Sequence, residues 1–185
     1  LKGQGTNAVI ATGYNFNDSY SVQAAVQVKP GEGGVVFHLQ DRGGYYAFTV
    51  RTTDDSDEAQ LVLWKAENSD DALLDDSDPM LSQLWKTIAT NMAPRTILGA
   101  VSTTVIHGQW VMLKVRTFQN RIQCFMDKIK VLDTAAELPA GGRFGLLSDV
   151  RAGTRFDDVR AVSNHDLDFR GINDKSFDGR GNYTM

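Results

Sequence analysis

The residues of this chain best suited to chemistry are spaced in a way that argues against catalysis. Its four glutamates, Glu32, Glu58, Glu67 and Glu137, all read as turn or loop residues. A retaining glycosidase needs two carboxylates about 5 Å apart, and the Glu-x-Asp-x-x-Glu run that would supply them on one strand face is absent. His38 falls on a strand, His107 before a turn and His165 near the C-terminus, so the three histidines occupy unrelated settings. No Gly-x-Ser-x-Gly, Walker or His-Glu-x-x-His element occurs. His38 with Asp41 could form an acid/base pair, but no catalytic residue is assigned. Cys124 is alone, which excludes an internal disulfide and a cysteine metal cluster. Its parity with Ile122 and Met126 makes it a small buried hydrophobe.

Binding chemistry is better represented. In "GGVVFHLQDRGGYYAFTVRT", residues 33–52, Val35, Phe37, Leu39, Tyr46, Phe48 and Val50 share one parity. His38, Gln40, Tyr45, Thr49 and Arg51 take the other, with Asp41 in the turn between. Extended across neighbouring strands, the polar parity adds Gln60, Trp64, Lys114, Arg116, Gln123 and Phe125. Flat rings then stand among amide, imidazole and guanidinium groups. Sugars present apolar C–H faces ringed by hydroxyls, so the expected ligand-binding set is His38, Gln40, Asp41, Tyr45, Arg51, Trp64, Arg116 and Gln123. The alternative is the solvated outer face of a half-buried sheet, its aromatics reflecting β propensity. Trp64 and Tyr45 favour binding, because a large ring on an exposed parity needs a cover.

The elements that must position these residues are strands. "YSVQAAVQVK" places Tyr20, Val22, Ala24, Val26 and Val28 on one face, and Pro30–Gly31 ends it. "GGVVFHLQ" and "YYAFTVRT" form a hairpin over residues 41–44, and "AQLVLWKA" follows. "QWVMLKVRTF" and "RIQCFMDKIKVLD" make a second hairpin over Gln119 and Asn120, burying Val111, Leu113 and Val115 against Ile122, Cys124 and Met126. "GRFGLLS" and "TRFDDVRAVS" close the pattern. Many strands and almost no helix predict an all-β, antiparallel two-sheet sandwich. One short helix is expected near residues 79–92, where Asp78–Pro79 reads as a start and Met80, Leu81, Leu84, Trp85 and Ile88 share a helical face, although "LWKTIAT" also reads as a strand. The acidic run "ENSDDALLDDSDP" lacks the spacing of an EF-hand loop and reads as a solvated loop.

With 185 residues and 42% hydrophobic content, the chain suits one domain with a sizeable core. A net charge of −4 offers no field for phosphate backbones or anionic lipid, so neither nucleic acid nor a membrane surface is an expected partner. No apolar run is long enough to span a bilayer. The first residue, Leu1, suggests a fragment or processed product.

The order of elements resembles the concanavalin A-like lectin/glucanase superfamily, and within it the laminin-G-like jelly rolls of bacterial secreted proteins and carbohydrate-binding modules. The residues that carry the resemblance are the "YY" pair, Gly108 and Trp110, Asp127, Gly142 to Leu146 and Phe156 to Val159, within a match over residues 6–162. One departure is Lys128, where the family usually has Gly. The tail "DFRGINDKSFDGRGNY", residues 168–183, resembles a short segment of a bacterial large-subunit ribosomal protein. The resemblance implies a jelly-roll domain over residues 1–163 with a C-terminal extension over 164–185. It implies a non-catalytic carbohydrate-binding or adhesion module of a larger secreted, periplasmic or cell-surface protein, with a glycan and other domains of the parent as partners. The competing classes are a glycoside or keto-sugar hydrolase using His38, Asp41 and Arg51, and a purely structural interaction domain. No cofactor is required; a structural calcium is the one ion the family suggests, with Asn17, Asp18 and Asp157 as its ligands.

Overall fold

A computed structural model describes residues 7–12, 19–27, 29–40, 44–53, 56–67, 85–90, 95–149 and 154–163. Its strands are β1 (Asn7–Thr12), β2 (Tyr20–Gln27), β3 (Gly31–Leu39), β4 (Tyr45–Thr53), β5 (Ser56–Ala66) and β6 (Trp85–Thr90). There follow β7 (Arg95–Thr104), β8 (Trp110–Phe118), β9 (Arg121–Met126), β10 (Ile129–Ala135), β11 (Arg143–Asp149) and β12 (Arg155–Ser163). They build two antiparallel sheets, one of seven strands in the order β6-β1-β11-β3-β4-β5-β7 and one of five in the order β10-β9-β8-β2-β12.

Period-2 alternation accounts for how the sheets face each other. Val35, Phe37, Phe48, Val50, Leu61 and Leu63 point inward from the larger sheet, and Val22, Val26, Leu113, Val115, Ile122 and Cys124 meet them from the smaller. Burying each large apolar side chain contributes about 1.5–3 kcal/mol. The larger sheet is apolar on its other face as well, where Val9, Val36, Leu39, Tyr45, Ala47, Val62, Trp64, Ala66 and Leu147 form a second buried cluster.

The all-β sandwich is as expected, and several details differ. Residues 85–90 form β6, antiparallel to β1, rather than part of a helix, while residues 79–84 and 91–92 lie outside the described residues. Pairing with the β1 backbone outweighs the helical spacing of the apolar residues. "RIQCFMDKIKVLD" is two strands, divided at Asp127 and Lys128, which both take positive φ (48° and 73°). Gln119 and Asn120 (φ 45° and 58°) turn the preceding hairpin the same way. Two consecutive positive-φ residues match the right-handed twist of the flanking strands. Lys128 thus holds the turn that the resemblance reserves for Gly. Glu32 and Glu58, expected in turns, lie on β3 and β5. The expected extension over 164–185 lies outside the described residues. Among the described residues no helix is long and apolar enough to cross a membrane.

Candidate functional site

The sequence reading of β3 goes out of phase at His38. There the backbone takes φ 48°, and the β11–β3 register steps from Arg143–Leu39 to Gly145–Val36, so two residues of β3 face the single Phe144. A bulge of this kind inserts one residue and reverses the alternation beyond it. Leu39, expected inward, joins the outer cluster. His38, expected outward, is fully buried, its ring 5.1 Å from that of Tyr20 and 6.4 Å from that of Tyr46. Its N–H donates to Tyr20 Oη (2.6 Å), and Nδ1 lies 2.8 Å from the Gly141 carbonyl. Because a carbonyl only accepts, the ring proton sits on Nδ1. Burial raises the Tyr20 phenol far above its usual range, so it stays a neutral hydroxyl.

Beside this bulge, Gln40 and Gly44 flanking the β3–β4 turn, the end of β5 and the segment between β10 and β11 line an open cleft of about 340 Å³. His38, Gln40, Tyr45 and Tyr46 line its inner side, and Lys65, Glu67 and Glu137 stand around it. Gln40 is fixed by its Nε2, which donates to the His38 carbonyl (3.1 Å) and the Gly141 carbonyl (3.2 Å). Its Oε1 has no partner among the described residues and is available to a ligand. Tyr46 Oη donates to the Glu137 carbonyl at 2.6 Å, tying the β10–β11 segment to β4. Burial is the main cause holding the Tyr46 phenol above its ordinary value. Lys65 Nζ and Glu67 Oε2 pair at 3.2 Å on the half-exposed rim.

Trp64 and Tyr45 are not exposed platforms: they are 1% and 2% accessible. Their parity is as read from the sequence, but the rings already have partners. Trp64 Nε1 donates to Glu32 Oε1 (3.0 Å), the Arg95 guanidinium lies 4.2 Å from the indole centroid, and Tyr45 meets Trp64 edge-on at 5.4 Å. The same Glu32 accepts from Thr49 Oγ1 (2.8 Å) through Oε1, and from Arg51 (3.3 Å) and Arg95 (3.1 Å) through Oε2. Burial alone would push this carboxyl up, but Arg51, Thr49 and Arg95 outweigh it and hold it below the ordinary value. Trp64 is thus a buttress for Tyr45 at the cleft wall. Sequence reasoning missed Glu32; its signal was register, since Glu32, Arg51 and Gln60 stand in one row across the sheet.

The expected set therefore divides. His38, Gln40 and Tyr45 meet at the cleft, while Arg51 and Trp64 belong to the Glu32 cluster. Arg116 and Gln123 are register partners on the other sheet, and Gln123 Nε2 donates to Asp133 Oδ2 at 3.1 Å. Asp41 lies outside the described residues, as do Asn17 and Asp18 of the expected calcium set. Asp157 is exposed on β12 and accepts the Asp158 N–H at 2.8 Å. Among the described residues no three His, Cys, Asp or Glu side chains gather into a metal site. Of the residues grouped for hydrolysis, His38 and Arg51 stand apart: Arg51 is paired with Glu32, six residues along β3 from His38, which is roughly 20 Å at the rise of a strand.

No known protein family matches the chain by sequence profile. Over 62 residues it is 45% identical to large ribosomal subunit protein uL5 of Desulforamulus reducens, a match covering 31% of this chain and 34% of that protein. The chain thus spans about a third of that curated relative. Carbohydrate binding module CBM66 from Bacillus subtilis superposes with TM-score 0.61 at 14% identity, covering 87% of this chain and 84% of that one. The chicken liver agglutinin CG-16 superposes with TM-score 0.52 at 9% identity, covering 84% of this chain and 99% of that one. Toad ovary galectin, in complex with thio-digalactose, gives TM-score 0.50 at 13% identity over 84% and 98% of the two chains. Strand order, paired sheets and these superpositions together identify the fold as a concanavalin A-like β-sandwich of the galectin and CBM66 type.

Proposed function

We propose that this chain is a non-catalytic carbohydrate-binding module of a larger secreted protein, and that sugar enters the cleft beside the His38 bulge. The observation that carries this reading is the cleft itself: about 340 Å³, of a size suited to a small ligand, walled by a clamped tyrosine and by Gln40 held through its amide nitrogen. A preset acceptor at Gln40 Oε1 and the charged ends of Lys65, Glu67 and Glu137 suit a ligand made of hydroxyls. Fixing these groups in advance reduces the entropy cost of binding. The fold supports the reading, since structural neighbours include a carbohydrate binding module and a galectin in complex with a sugar. The separation of His38 from Arg51 argues for binding without turnover.

The test is a glycan array followed by affinity electrophoresis on the polymers it selects. Gln40→Ala and Lys65→Ala are each expected to weaken retention about fivefold, the loss of roughly one hydrogen bond of 1 kcal/mol. Unchanged retention in both variants, or glycan turnover by the wild type, would refute the assignment.

A further inference from the structure

The two sheets treat their outward faces differently. The larger has a buried apolar outer face, with Val36, Val62, Trp64 and Leu147, whereas the five-stranded sheet carries mostly polar, half-exposed to exposed side chains on its own, around the apolar pair Ala25 and Met112. Register places Trp110, Gln27 and Arg155 in one row, and Phe125, Lys114, Gln23 and Arg160 in another. Ser21, Arg116 and Gln123 form the next. With Arg121 and Lys130, whose parity is the same, the described residues of this face include six cations, namely Lys114, Arg116, Arg121, Lys130, Arg155 and Arg160. Three carboxylates stand among them: Asp133, which accepts from Arg121, Gln123 and Lys130, and Asp157 and Asp158 at the β12 bulge. The Arg121 and Lys130 bonds hold the Asp133 carboxyl well below its usual range, so it remains an anion. Among the described residues of this face the cations outnumber the carboxylates, in a chain whose formal charge is −4. At strand spacing the cations lie roughly 7–10 Å apart.

We propose that this face binds an acidic polysaccharide, one bearing uronate or sulfate groups, as a site separate from the cleft. The interleaved carboxylates argue against a nucleic acid, whose duplex carries one phosphate per about 1.7 Å of axis, and suit a sparsely charged polymer whose hydroxyls they accept. Trp110, 43% accessible, offers a ring for a sugar face at one end of the cation field, and Gln23 and Gln27 bring amides between the charges.

Affinity electrophoresis of the full chain through gels containing polygalacturonate, heparin or uncharged dextran tests this. Retardation is expected in at least one acidic gel and not in dextran, fading between about 50 and 200 mM salt as screening sets in. Heparin alone would assign sulfate, polygalacturonate alone uronate. The Lys114→Gln/Arg160→Gln variant is expected to bind on the order of fivefold more weakly, with the exposed single change Arg160→Gln moving the same way. Gln40→Ala is expected to leave the retardation intact. Equal retardation in dextran, undiminished retardation of the folded double variant, loss in Gln40→Ala, or tighter binding of a single-stranded oligonucleotide than of either acidic polymer overturns the assignment.

Discussion

Replacing Glu32 by Gln isolates the cluster that holds Trp64. Every partner of this carboxylate donates: Thr49 and Trp64 to Oε1, Arg51 and Arg95 to Oε2. Glutamine keeps one acceptor oxygen and adds an NH₂, so a donor confronts a donor whichever way the amide turns: Arg51 and Arg95 on one side, or Trp64 on the other, where the Thr49 hydroxyl can turn to the Val62 carbonyl and accept instead. A hydrogen bond to a charged group contributes about 1.5–3 kcal/mol. The guanidinium bonds count for less because Arg51 and Arg95 side chains are 43% and 34% accessible, against 8% for Glu32. The sum is a loss of about 3 kcal/mol, read as a lower urea midpoint at unchanged m. The effect also carries a pH signature. Because the folded carboxyl is held below its ordinary value, its contribution is fully present above the unfolded value of about 4.3 and fades as pH falls through the folded one. The gap between wild type and Glu32→Gln should therefore be full at neutral pH and narrow in acid. A gap under about 1 kcal/mol at pH 7, or one that does not narrow in acid, would refute the reasoning.

Two further changes probe the backbone. Lys128→Gly removes a side chain from φ 73° and is expected to raise the unfolding free energy by about 0.5–1 kcal/mol; a fall would show that Lys128 contributes something other than turn geometry. Gly142→Ala would place a Cβ 2.6 Å from His38 Cα and 2.8 Å from its carbonyl carbon at φ 134°, where neither backbone can yield. A drop in Tm of roughly 5 °C or more is expected in a thermal melt, and an unchanged Tm would contradict the tight seating of the bulge.

What was legible follows from alternation. Tyr46, Phe48 and Val50, like Val111, Leu113 and Val115, announce their inward face because a strand buried on one side repeats every two residues. Trp64 shows how parity can be right while exposure is wrong: its side of the sheet is a second apolar layer. The readable sign was the near-continuous apolar runs around Val35–Val36 and Leu61–Trp64, which mark strands buried on both faces. Glu32 was invisible because its partners come from Thr49, Arg51, Trp64 and Arg95, brought together only by strand register. Residues 85–90 misled because apolar spacing alone cannot say whether a neighbouring strand such as β1 has an edge to offer.

The single extra residue at His38 acts as a phase shifter in the third strand. Aligning this chain letter by letter with a neighbour of the same fold that lacks the insertion would swap inward and outward positions from Leu39 onward. Comparison of residue positions across such proteins must therefore proceed by superposed backbone, with a one-residue gap opened at that point.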